Sequence, residues 1–153
     1  MAFEKLRCRI AFWLCLKKMG VSFHKDECCS RSGLFLLVEL ICGVVVFSIL
    51  KENSFSHSEP IYWLQYTSFM FFLNSFFLVL SGALTGEGVS GSFYHNVYHF
   101  FGMSLYCGLA IWSISKDGAP SGEKPKNHYW ATMVLSFIAA LVHGMHGVFN
   151  CRG

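Results

Sequence analysis

Four histidines are spaced as ligands would be. His95 and His99 lie four residues apart, and His143 and His146 three apart. On a helix, either spacing puts both side chains of a pair on one face. Imidazole binds Zn, Cu and Fe ions and haem iron, so the two pairs are candidates for a metal or haem site, with Glu87, Tyr94 and Tyr98 close enough in sequence to contribute. The plainer reading leaves the same histidines at helix ends, bonded to backbone, water or lipid headgroups, because a bare HxxxH or HxxH is a weak pattern. Glu39 is an acid inside an otherwise apolar block. A charge at the centre of a membrane helix costs roughly 2.5–3.5 kcal/mol, so Glu39 is expected to face other helices, to be protonated or to find a donor. An interhelical hydrogen bond that fixes packing is the first reading, and a proton or headgroup contact is the second. A transport pathway built around Glu39 would need a cationic partner inside the blocks. Cys28 and Cys29, just before Arg31, are candidates for S-palmitoylation, with Cys8 and Cys15 behind them. The chain contains no HExxH, CxxC, P-loop or serine-nucleophile motif, so no catalytic residue, no enzyme activity and no cofactor are expected on the main reading.

The elements that must position these residues are apolar blocks. The chain has 153 residues, 54% hydrophobic and 14% charged, against about 45–50% and about 25% in soluble domains. Four blocks stand out, at about 33–50, 61–84, 93–114 and 129–149. Each is close to the ~20 residues that a spanning helix needs. Backbone amides in hydrocarbon must be paired within a helix or around a closed barrel, and barrel strands alternate apolar with polar residues. These blocks are apolar on every face. The expected fold is therefore all-α, an integral membrane bundle of four transmembrane helices. Tyr62, Trp63, Tyr66, Trp112, Tyr129 and Trp130 lie at block edges, where aromatic rings prefer the headgroup level. The connectors, at 51–60, 85–92 and 115–128, are too short for a folded domain.

The expected organisation is a basic cytosolic segment at 1–32, a transmembrane domain at 33–149 and a short cytosolic tail at 150–153. In the first segment Phe3, Leu6, Ile10, Trp13 and Leu14 form a rough helical stripe beside Arg and Lys, the pattern of an interfacial helix on anionic lipid. It lacks the small-residue cleavage site of a signal peptide. Lys5, Arg7, Arg9, Lys17, Lys18, Lys25, Arg31 and Arg152 lie on the side of the termini, against Lys51, Lys116, Lys124 and Lys126 opposite. The positive-inside rule then puts both termini and the second connector in the cytosol, and both histidine pairs fall at that same membrane face. Seven Cys, an odd number with none in an outward connector, argue for reduced thiols. Gly82 and Gly86, Ser104 and Gly108, and Ala140 and Gly144 are small residues four apart, a spacing that lets helices approach closely in a bundle or a homo-oligomer.

The run Ser30-Arg31-Ser32-Gly33-Leu34-Phe35-Leu36-Leu37-Val38-Glu39 resembles the entry to the first helix of MARVEL-domain proteins, particularly the proteolipid and chemokine-like-factor relatives. In these a basic residue, a Gly, an apolar run and an intramembrane Glu recur. As architecture the likeness covers the whole chain. As motif it covers about ten residues, and Glu39 is the only charge that carries over. The histidine pairs and the aromatic second block have no counterpart in it. The resemblance implies a non-enzymatic membrane-organising role in vesicle traffic, membrane apposition, junctions or lipid domains, at the plasma membrane or endomembrane vesicles. Its partners would be membrane lipids and other transmembrane proteins, and no nucleic acid. Tetraspanins and claudins fit less well, since they carry a large Cys-bearing outer region. The alternative is a small metal- or haem-binding membrane protein built on His95, His99, His143 and His146.

Overall fold

The computed structural model describes residues 30–53, 58–85, 93–120 and 122–152. The stripe at 3–14, Cys28, Cys29 and Glu87 lie outside them. Among the described residues there are four helices and no strand: α1 (Arg31–Glu52), α2 (Glu59–Thr85), α3 (Phe93–Asp117) and α4 (Glu123–Arg152). Each is long and apolar enough to cross a membrane. The chain is thus an all-α, multi-pass bundle.

Local chemistry sets the helix ends. Ser30 caps α1, its hydroxyl accepting the Gly33 N–H at 3.1 Å, which satisfies one of the amide donors left over at a helix start. Asn53 closes α1 by donating both its backbone N–H and its side-chain amide to the Ile49 carbonyl. Pro60 and Pro125 lie in the first turns of α2 and α4, where a missing N–H costs nothing. Because of this start, α4 begins at Glu123, well before the apolar block opens near Tyr129. Gly118 stops α3 in a left-handed conformation, φ 62°, that a side chain would disfavour.

The helices run up and down in a ring. α1 packs on α2 and α4, and α3 on α2 and α4, and across the diagonals only side chains meet, as Glu39 and His99 do. The core holds Val46, Leu64, Tyr106, Ala110 and Met133. The outer surface is equally apolar. Ile41, Met70 and Leu141 are each at least 60% exposed, as befits helices whose solvent is acyl chain. Glycines set the close approaches inside. A Cβ on Gly43 would come within 2.8 Å of Phe72 Cβ, whereas Gly82 and Gly108 face open space. Of the small-residue pairs read from the sequence, Ala140 and Gly144 lie on an internal seam, with Gly144 against Met103. At the end of the bundle away from Arg31, His128 and Asn53 join α4 to α1, and Lys116 pairs with Glu59 at 2.9 Å.

Candidate metal centre

The antiparallel ring brings Glu39, His95, His99, His143 and His146 to one depth. At 1.5 Å rise per residue, each lies within roughly 3–14 Å of its helix end, all at the end where α1 begins and α4 stops. All five are at most 2% exposed.

Glu39 is the centre of the cluster. Its Oε1 lies 2.9 Å from His146 Nδ1, 3.1 Å from His99 Nδ1 and 3.4 Å from His143 Nδ1. The last two nitrogens are themselves 3.2 Å apart. The outer edges of two of these rings are also held. His99 Nε2 meets His95 Nε2 at 2.9 Å, and His146 Nε2 meets Ser32 Oγ at 2.8 Å. Aromatic rings close the site. Phe35 stacks on His146, Tyr106 stacks on His143, and Phe71 and Tyr98 stand edge-on to His143 and His99. Gly102 gives α4 the room to deliver His143, for a Cβ there would lie 2.7 Å from Phe71 and 3.0 Å from the imidazole.

Proton counting limits what this arrangement can be. A neutral imidazole has one N–H. Consider the triangle of Glu39 Oε1, His99 Nδ1 and His143 Nδ1. If both nitrogens carry protons, two N–H groups oppose each other at 3.2 Å. If either does not, its lone pair opposes an ionised carboxylate within 3.4 Å. With Glu39 ionised, every assignment leaves one repulsive edge. A proton on Oε1 relieves it, and so does a cation that takes all three lone pairs. Glu39 Oε2, also buried, has no hydrogen-bond partner among the described residues, an expensive state for a carboxyl oxygen.

The distances also fit a cation. Donors at about 2.0–2.1 Å around a tetrahedral ion stand about 3.3–3.4 Å from one another, and the three edges here are 3.1, 3.2 and 3.4 Å. Metal-bound histidines bond through the second ring nitrogen to a fixed partner. Of the two imidazoles in the triangle, His99 has such a partner in His95, and His146 beside them has one in Ser32. A haem would need a slot as wide as the macrocycle between its axial nitrogens. The rings here lie against one another, with the His99 and His146 centroids 3.9 Å apart, and leave no such slot.

No family model, no curated protein and no solved structure matches this chain.

All four histidines singled out by spacing thus meet in one cluster. Glu39 meets its hydrogen-bond partners across helices, and they are those same histidines. The helpers suggested by sequence proximity do less. Tyr94 is 62% exposed, and Tyr98 turns its hydroxyl to Ser75 and the Phe71 carbonyl. Ser32 is the functional neighbour that spacing did not single out.

Proposed function

We propose that this chain is a multi-pass membrane protein that binds a divalent first-row transition metal inside its helix bundle. Glu39, His99 and His143 serve as ligands, and His146 stands beside them. The observation that carries this reading is the near-equilateral triangle of buried donors around Glu39 Oε1, which protons alone cannot satisfy while the carboxylate is ionised. Two imidazoles and one carboxylate suit Zn and its neighbours in the first row. The role is one of binding: the ion ties α1, α3 and α4 together and is held for storage, transfer or bundle stability. The termini lie in the cytosol, on the Lys and Arg distribution.

The test is metal analysis of the full chain purified in detergent on a histidine-free tag. Stoichiometric metal that survives dialysis, and that falls away in Glu39→Gln and His99→Ala, is expected. A preparation that contains no metal and takes up no Zn(II), Cu(II) or Fe(II) overturns the proposal in favour of a proton on Glu39.

A second reading is the membrane-organising role that the likeness at residues 30–39 implies, in vesicle traffic or at junctions and lipid domains. Gly82 and Gly108 favour it, since they face outward with nothing within 4 Å of an added Cβ and are free to meet another transmembrane protein or a second copy. Co-isolation of the chain with junction or vesicle proteins, lost on Gly82→Leu and Gly108→Leu, would support it. Association unchanged by those variants would remove this support.

A further inference from the structure

His99 has donors on both sides. Its Nδ1 faces Glu39 and His143, and its Nε2 faces His95 Nε2 at 2.9 Å. His95, His99 and His146 form a second group whose ligand atoms all lie within 4.8 Å of one another, fully buried like the first. The two groups have His99 in common. We infer that the bundle holds two metal ions, bridged by the His99 imidazole. This rests on the metal-binding reading above and extends it from one ion to two.

The first ion sits among Glu39, His143 and His99 Nδ1. The second sits among His95 Nε2, His99 Nε2 and a nitrogen of His146. On binding both, His99 gives up its single ring proton to solvent and offers a lone pair at each nitrogen, and metal uptake is therefore proton-coupled. The anionic ring is stabilised by the positive charge on either side. The two places differ in shape. Donors 2.9 Å apart subtend about 90° at an ion with ~2.0–2.1 Å bonds, an angle that belongs to tetragonal or octahedral coordination rather than tetrahedral. The first group, with its longer edges, suits a tetrahedral ion such as Zn(II), and the second suits Cu(II).

They also differ in access. His146 lines a cleft of about 470 Å³, together with Ser32, Phe35 and Asn150. His143 does not reach that cleft and is enclosed by Phe71, Tyr98 and Tyr106. The second ion is the one that exchanges with solution, and it carries the open coordination position. The first is enclosed.

The experiment is a titration of the chelator-stripped full chain in detergent, on a histidine-free tag and with accessible thiols alkylated, with bound Zn(II) and Cu(II) counted by mass spectrometry of the metals. The wild type is expected to take up two ions per chain, His95→Ala one, and His99→Ala neither. Loaded with Cu(II), the wild type is expected to show an electron paramagnetic resonance signal integrating to well under two spins, because the bridging ring couples the ions. His95→Ala then gives one full, uncoupled spin. Saturation of the wild type at one ion overturns the bridge and leaves the single-ion reading standing. Two ions that persist in His95→Ala also overturn it, by locating the second elsewhere. No uptake at all ends both readings. The wild-type count decides the matter even if a variant fails to fold.

Discussion

At the scale of single residues, Ser32 separates the metal reading from a plain hydrogen-bond network. Its hydroxyl meets His146 Nε2 at 2.8 Å and so fixes which face of that ring looks at Glu39. It does not cap the helix, because Ser30 does that through Gly33. Ser32→Ala should therefore spare α1 and act only through His146. Loss of an outer partner of a metal-bound histidine weakens binding about 10–100-fold. A competition titration of the second ion, as Cu(II), against a chelator is expected to show that drop, with helix content by circular dichroism unchanged. If affinity stays within twofold of the wild type, His146 is not a ligand to either ion. Glu39 makes a sharper case. In Glu39→Leu the apolar side chain removes the repulsive edge but leaves three imidazoles facing a methyl group. Breaking a buried ionic group by deleting one partner costs about 3–5 kcal/mol. Glu39→Leu is expected to lose both metal and thermal stability, and a melting temperature equal to wild type would mean that the acid contributes nothing to the bundle.

At the scale of the helices, glycines decide how near the ligands come. Gly102 on α3 faces Phe71 and His143 with no room for a methyl group. Gly102→Ala is expected to push the His143 ring off the triangle, at a cost of about 1–3 kcal/mol for overpacking and with weaker metal uptake. Gly108, two turns on, faces open space. Gly108→Ala should be neutral, or gain up to ~1 kcal/mol of helix propensity. Unfolding of both variants in one detergent checks the contrast. If the two behave alike, the α3–α4 seam is not tight at Gly102. These helices were legible from sequence because unbroken apolar runs near 20 residues have little alternative in a bilayer. Their ends were less so. α4 starts at Glu123, where Pro125 in the first turn, rather than hydropathy, marks the beginning. Each histidine pair was legible from its spacing. The union of the pairs with Glu39 was legible only in part, because it depends on depth measured along three different helices. Counting 1.5 Å per residue from Arg31, Phe93 and Arg152 brings these residues roughly level, but the rotation of each helix about its axis is set by packing. For the same reason no spacing rule could have singled out Ser32, whose contact with His146 spans 114 residues of chain.

At the scale of the whole molecule, orientation decides from which side metal reaches the bundle. Four membrane-crossing helices return the chain to the side where α1 began. The Glu39–histidine cluster lies toward that end, since Glu39 follows Arg31 by little more than two turns and His146 precedes the end of α4 by a similar distance. The cleft beside His146 is also lined by Arg31 and Asn150, which lie at that same end of α1 and α4. The sequence that leads into α1 carries seven Lys and Arg between Lys5 and Arg31, and the proposed orientation, which rests on the preference of basic segments for the cytosolic side, makes that face cytosolic. With the proposed orientation and the proposed site, metal is expected to load and leave from the cytosol. Sealed vesicles of both orientations, made from cells expressing the metal-loaded chain, test this directly. A membrane-impermeant chelator is expected to strip the exchangeable ion from inside-out vesicles and to leave right-side-out vesicles loaded until detergent is added. The opposite pattern would invert the topology while leaving the ligand set intact, because the cluster's geometry does not depend on which compartment its open end faces. Stripping at equal rates from both sides would mean that the bundle is not sealed beyond the cluster. That would contradict the core of Val46, Leu64, Tyr106 and Met133, each no more than 1% exposed, which fills the rest of its length.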